Sequence, residues 1–177
     1  MAERALLARE RDGDRYELHF SRWGGTDRAV AAVCTGTDPG NLPAVSWTRR
    51  DSEMEFLELV DAIDYLSIAV LYRVRGDETT VFCPLWFGLP IASACPSPAA
   101  GGLVAVDSLP DFRGVRAWFR AFKRALADAL REGIVPVTAT PLLLDWTIRT
   151  AEGRERYTSA VGQPTERLYP NTRPDCP

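Results

Sequence analysis

From Tyr65 to Pro90 the chain reads YLSIAVLYRVRGDETTVFCPLWFGLP, its most apolar and β-rich stretch. Leu66 to Val74 is nearly continuous in leucine, isoleucine, valine and tyrosine, and Arg75-Gly76-Asp77-Glu78 supplies turn chemistry. Thr79 to Cys83 resumes a strand, which Pro84 is expected to end because proline gives a sheet no N–H donor. An apolar run without polar alternation predicts burial on both faces. The hairpin should therefore lie centrally in a sheet, with the rest of the chain packed around it.

A chain of 177 residues, 46% of them hydrophobic, can close one core without disulfides or metals. The reading is a single α+β domain over residues 1–153, followed by a polar, proline-bearing tail over residues 154–177. A net charge of −3 argues against a surface built throughout for phosphate backbones, while leaving room for a local basic patch. Charges interrupt the apolar residues of MAERALLARERDGD, so no signal-peptide core is expected there, and no window approaches about 18 apolar residues. Those features predict a cytoplasmic protein with no membrane span, in which Cys34, Cys83, Cys95 and Cys176 are reduced thiols. Lys123 is the single lysine among 21 basic residues, a bias that reads as GC-rich codon usage.

Along the chain, Ala5 to Arg9 and Tyr16 to Ser21 flank the turn Arg11-Asp12-Gly13-Asp14 and predict a first hairpin. Tyr16, Leu18 and Phe20 alternate with Arg15, Glu17, His19 and Ser21, which predicts one buried and one wet face, with His19 on the wet one. Asp27 to Thr48 reads as loop with a short helix near Ala29 to Cys34. Ser52 and Glu55 fit a capping box opening an acidic helix to Ala62. Ile91 to Gly102 reads as loop before a strand at Leu103 to Val106. Asp111 is expected to cap an amphipathic helix from Phe112 to Glu132, closed by Gly133. Val135 to Thr140 is β-prone, and Thr140-Pro141 suits the start of a helix over Leu142 to Ala151.

Arg15 to His19 with Ser21 and Trp23-Gly24-Gly25, Asp64 to Tyr72, Pro84 to Leu89 and Trp118-Phe119-Arg120 resemble a family of uncharacterised haloarchaeal proteins, a domain of unknown function. These are hydrophobic and turn motifs, so the resemblance implies a shared fold in an archaeal cytosolic protein and names no chemistry.

No residue set qualifies as a catalytic centre. The single histidine confines a Cys-His dyad to His19 with Cys34, and a strand-borne histidine on a polar face is more often a surface residue. Cys83 and Cys95 each precede a proline and lack a C-x-x-C knuckle, so no metal site is expected, and no phosphate-binding glycine motif supports a cofactor. Arg22 and Trp23 beside Gly24-Gly25 could face a ligand, against the plainer reading of a tight strand exit. Trp86-Phe87 follows the most buried strand and reads as core.

One feature could be functional by simple physics, against the plainer reading of a charged face that only solvates its helix. Arg113, Arg116, Arg120, Lys123, Arg124 and Arg131 line one side of the amphipathic helix, although the acidic helix could neutralise them inside the fold. The expected protein is thus an α+β domain whose mostly antiparallel sheet, built from two hairpins, is covered by this long helix with the shorter acidic helix nearby. It is expected to be a non-enzymatic interaction protein binding a protein partner, or a second copy of itself, through the basic helix. The alternatives are a small-molecule enzyme with a site near His19, Cys34, Asp38 and the Arg22 to Gly25 loop, or a nucleic-acid-binding protein using the basic helix.

Overall fold

Unbroken apolar strands can form only where both faces of a sheet are covered, and the computed structural model of the chain, which describes residues 3–11, 13–89, 100–150 and 153–159, has that arrangement. Seven strands follow each other as β1 (Arg4–Glu10), β2 (Arg15–Ser21), β3 (Thr48–Glu55), β4 (Ile68–Arg75), β5 (Glu78–Trp86), β6 (Gly101–Val106) and β7 (Arg156–Thr158). They form one sheet in the order β3-β2-β1-β4-β5-β6-β7. All neighbours are antiparallel except β1 and β4, which run parallel. The fold class is α+β, and both expected hairpins, β1-β2 and β4-β5, are present.

Two cores sandwich the sheet. Leu7, Val70, Tyr72, Val81, Cys83 and Val104 point to one face, where α1 (Asp27–Cys34), α3 (Leu109–Arg131) and α4 (Thr140–Arg149) cover them. Leu6, Leu18, Leu71, Phe82 and Leu103 point to the other, beneath α2 (Phe56–Ala62). Each such side chain, fully withdrawn from water, contributes about 1.5–3 kcal/mol. Residues alternate between two dry environments, which is why β4 shows no polar alternation.

Several local expectations fail for physical reasons. The stretch Ser52 to Glu55 belongs to edge strand β3, and α2 starts at Phe56 with the capping box shifted to Glu55 and Glu58. The charges of TRRDSEME suit an exposed strand edge and mask its β character. Because α2 lies across the sheet from α3, its acids do not neutralise the basic helix. The cap of α3 is Ser108, whose hydroxyl accepts from the Asp111 N–H at 3.2 Å, so the helix begins before the expected Phe112. Gly133 closes it at φ 71°. Replacing Ser108 with alanine should lower stability by about 1 kcal/mol in urea unfolding; an unchanged midpoint would contradict its capping role. Val135 to Thr140 forms a 3-10 turn (Val137–Ala139) leading into α4, not a strand.

The tail was expected to begin at residue 154, yet β7 completes the sheet beyond that point, pairing Leu103 with Tyr157. Its anchor is Arg73, whose guanidinium donates to both Glu155 oxygens at 2.8 Å while lying 5.0 and 5.2 Å from the Phe56 and Phe82 ring centres. Gly101 and Gly102, read as loop, open β6 because the sheet is pressed from both faces. A Cβ on Gly101 would come within 2.3 Å of the Tyr65 ring, and one on Gly102 within 2.6 Å of Ile148. Residues 160–177 lie outside the described residues, as does the segment 90–99 that holds Cys95. Among the described residues no helix is long and apolar enough to cross a membrane.

Candidate functional site

Pro84 did not end β5. Strand β5 continues through it to Trp86, pairing Pro84 with Leu103 of β6. The Phe87 N–H bonds the Ala100 carbonyl at 3.0 Å on the β6 side, so strand alternation turns the Pro84 nitrogen toward β4. On that side the ladder stops at Leu71 and Phe82. Proline is tolerated there because it forfeits no bond. Below the last rung, Ile68 and Ala69 on β4 and Pro84 to Trp86 on β5 form one wall of a cavity of about 450 Å³.

Helix α3 supplies the other wall. Arg116, Arg120 and Lys123, spaced by four and three residues, share a flank of the helix and all line this cavity, with Phe119 beside them. Glu3 is the one carboxylate among the lining residues. The remaining basic positions go elsewhere. Arg113 pairs with Asp27 of α1 and Arg131 with Asp128 one turn back, while Arg124 does not line the cavity. Among the described residues, neither the Arg116 nor the Arg120 charge is met by a carboxylate in a direct ion pair; Arg116 instead lies 5.0 Å from the Phe112 ring centre.

Lys123 sits at the apolar margin of the stripe. Its ammonium donates to the Trp86 carbonyl at 3.1 Å and stands 5.1 Å from the Trp86 ring centre and 5.8 Å from that of Phe119. Burial, and then the neighbouring charge of Arg120, push its pKa from 10.5 down to about 8. Between those values the unfolded chain holds more protons than the folded one, so stability should rise as pH climbs through this window. Below pH 8 the full cost of burying the charge applies. A Lys123→Met variant should accordingly be the more stable protein at pH 7, by no more than about 1 kcal/mol given partial exposure, with the gap closing toward pH 10. Urea unfolding at both pH values checks this, and a variant less stable at pH 7 would contradict it.

The other candidate positions do not join this site. Trp23 is 54% exposed and Arg22 is exposed, and neither lines the cavity. The adjacent glycines serve packing. The Gly24 N–H binds the Ser21 hydroxyl at 3.1 Å and the Gly25 N–H binds the Glu3 carbonyl at 2.8 Å, leaving neither for an anion. A Cβ on Gly25 would fall 2.8 Å from that same carbonyl.

His19 was expected on a wet face with Glu17. The face is covered instead, and Glu17 is buried, with His19 at 2.9 Å, Arg49 at 3.1 Å and Arg11 all around its carboxylate. The hydrogen bond from Arg11 holds the Glu17 carboxyl below its usual range. No hydrogen bond links His19 to Cys34, whose thiol pKa is raised by burial and by Asp107 and Asp111 near the start of α3. Asp38 is engaged by Arg9 at 2.9 Å. Cys83 is buried, its pKa pushed up to about 12, so it is an inert thiol. Among the described residues no group of three His, Cys, Asp or Glu could hold a metal ion.

Sequence periodicity found the basic face of α3 and missed its partner wall, Tyr65 to Ala69 with Pro84 to Trp86. A proline inside an otherwise strand-like run and a single lysine in an arginine-rich chain were the two available signals. No family model, characterised protein or solved structure matches the chain.

Proposed function

We propose that the protein acts in the cytoplasm by binding an acidic segment of a partner protein in the cleft between α3 and the ends of β4 and β5. The observation that carries this is the convergence of Arg116, Arg120 and Lys123 on one cavity while Arg113 and Arg131 are neutralised by carboxylates. Unpaired cations beside apolar walls attract carboxylates over a distance and hold them more strongly than in open water. Arginine is suited to the role because its planar fork can grip a carboxylate through two hydrogen bonds. Leu66, Trp86 and Phe119 give the same cleft apolar and aromatic surface, the mixture on which protein interfaces concentrate their binding energy.

A fluorescein-labelled hexaglutamate peptide is the test probe, with a single-stranded oligonucleotide of equal charge as its rival. The peptide should bind, with affinity falling as salt rises, because Arg120 is exposed and Arg116 and Lys123 are half-buried, so salt screens their attraction. Tighter binding of the oligonucleotide, with a steeper salt dependence, would instead indicate a nucleic-acid partner. Absence of binding by either at low salt would remove the cleft as an anion receptor.

A further inference from the structure

We infer that the cleft also captures small 2-oxo acids, with Arg116 and Arg120 holding the carboxylate and the Lys123 amine forming an imine with the adjacent carbonyl carbon. This rests on the cleft being a carboxylate receptor and assigns it a class of small molecule.

The chain uses arginine at every basic position but one, and the exception is the residue set between two aromatic rings inside the cavity. An arginine could supply charge there; only lysine can lose its proton near neutral pH and become a nucleophile. With a pKa of about 8, roughly a tenth of Lys123 is neutral amine at pH 7, against well under a thousandth for an ordinary lysine. Burial beside a second cation is a recognised way of activating an amine for imine formation.

The surroundings suit each stage of the addition. The neutral nitrogen attacks the carbonyl carbon and gives a carbinolamine after proton transfer through water. The hydroxyl takes a proton from solvent and departs as water, the nitrogen lone pair forming the carbon–nitrogen double bond, and neither partner is oxidised or reduced. The protonated imine retains one N–H and one positive charge. The Trp86 carbonyl that now accepts from Lys123 can accept that N–H, and the Trp86 and Phe119 rings can face the cation. A cavity of about 450 Å³ accommodates such a small acid.

Reductive trapping tests this directly, because the chain has one lysine. The folded protein and a peptide spanning residues 119–127 are incubated at pH 7 with sodium cyanoborohydride and either pyruvate or its uncharged methyl ester. Digestion and mass spectrometry separate Lys123 from the chain's α-amine. Lys123 in the folded protein should be labelled by pyruvate at least about tenfold faster than in the peptide. It should also favour pyruvate over the ester, relative to the peptide. The Arg116→Gln/Arg120→Gln variant, folded by circular dichroism, should lose that preference. Labelling no faster than in the peptide overturns the inference, and labelling without preference for the charged acid overturns the assignment to 2-oxo acids. In either case retained hexaglutamate binding leaves the carboxylate receptor standing, whereas loss of both removes the cleft altogether.

Discussion

Replacing Phe82 with alanine is expected to lower the free energy of unfolding by about 3–5 kcal/mol, the largest effect of any single substitution considered for this chain. Phe82 has 0% exposure and occupies β5, flanked by β4 and β6 at the centre of the sheet. Its ring centre lies 5.7 Å from that of Phe56 and 5.9 Å from that of Tyr157, so it joins α2 to the last strand. It also forms one face of the slot that receives Arg73, a residue whose side chain is only 7% exposed. Truncation would leave a cavity and let water reach a guanidinium now shielded by two rings. Leu57, exposed on the same helix as Phe56, is the control, and its alanine variant should change stability by less than about 0.5 kcal/mol. A loss below about 1 kcal/mol for Phe82→Ala would show that this face is not the tight core described.

The second large effect concerns binding. Reversing charge at both Arg116 and Arg120 should weaken hexaglutamate binding at least about a hundredfold, roughly 2.7 kcal/mol or more, by exchanging two attractions for two repulsions. Lys123 alone would remain to oppose two new carboxylates. The fold should survive, because both residues are among the polar flank of α3 and neither forms an ion pair among the described residues. Reversal at Arg113 separates location from net charge. That residue is paired with Asp27 and lies off the cavity, so Arg113→Glu should disturb the contact between α3 and α1 and leave peptide binding within about threefold. Equal losses from Arg113→Glu and the double variant would mean that overall charge, not the cleft, attracts the peptide.

How far the residues alone could lead differs between the sheet and the site. The hairpins at Ala5 to Ser21 and Leu66 to Cys83 were legible because apolar runs and glycine turns are local signals. The helix α3 was legible through the three- and four-residue spacing of Val115, Trp118, Phe119, Phe122, Leu126 and Leu130, of which Val115, Phe119 and Leu126 are buried and Trp118 is exposed. Strand β3 was not, since an edge strand with one neighbour carries charges that resemble a capped helix start. Strand β7 was hidden for a related reason. Arg156, Tyr157 and Thr158 look like polar tail, and only Arg73, more than 80 positions earlier, supplies the buried partner that fixes them to the sheet. Glu17 misled in the opposite sense, because its burial depends on Arg11 and Arg49 closing over it from a turn and a neighbouring strand.

The site was half legible. The basic stripe could be read from helical periodicity, but which of its members act together could not. Arg113 is set apart from Arg116, Arg120 and Lys123 by Asp27 of α1, whose position depends on tertiary structure, whereas Arg131 pairs locally with Asp128 in its own helix. The cavity lies where the β4–β5 ladder stops at Leu71 and Phe82, a boundary that sequence could not place.

The most direct measurement uses the single lysine as its own reporter. With ¹³C placed at the ε-carbon of lysine, the protein gives one such resonance, that of Lys123, which can be followed through pH and through addition of hexaglutamate. The cleft described here predicts titration near pH 8 in the free protein and a shift of that resonance on adding peptide, absent in the Arg116→Glu/Arg120→Glu variant. A resonance titrating near 10.5, as for an ordinary solvated lysine, and unmoved by the peptide would contradict both the half-buried position of Lys123 and the cleft as the place where an acidic partner binds.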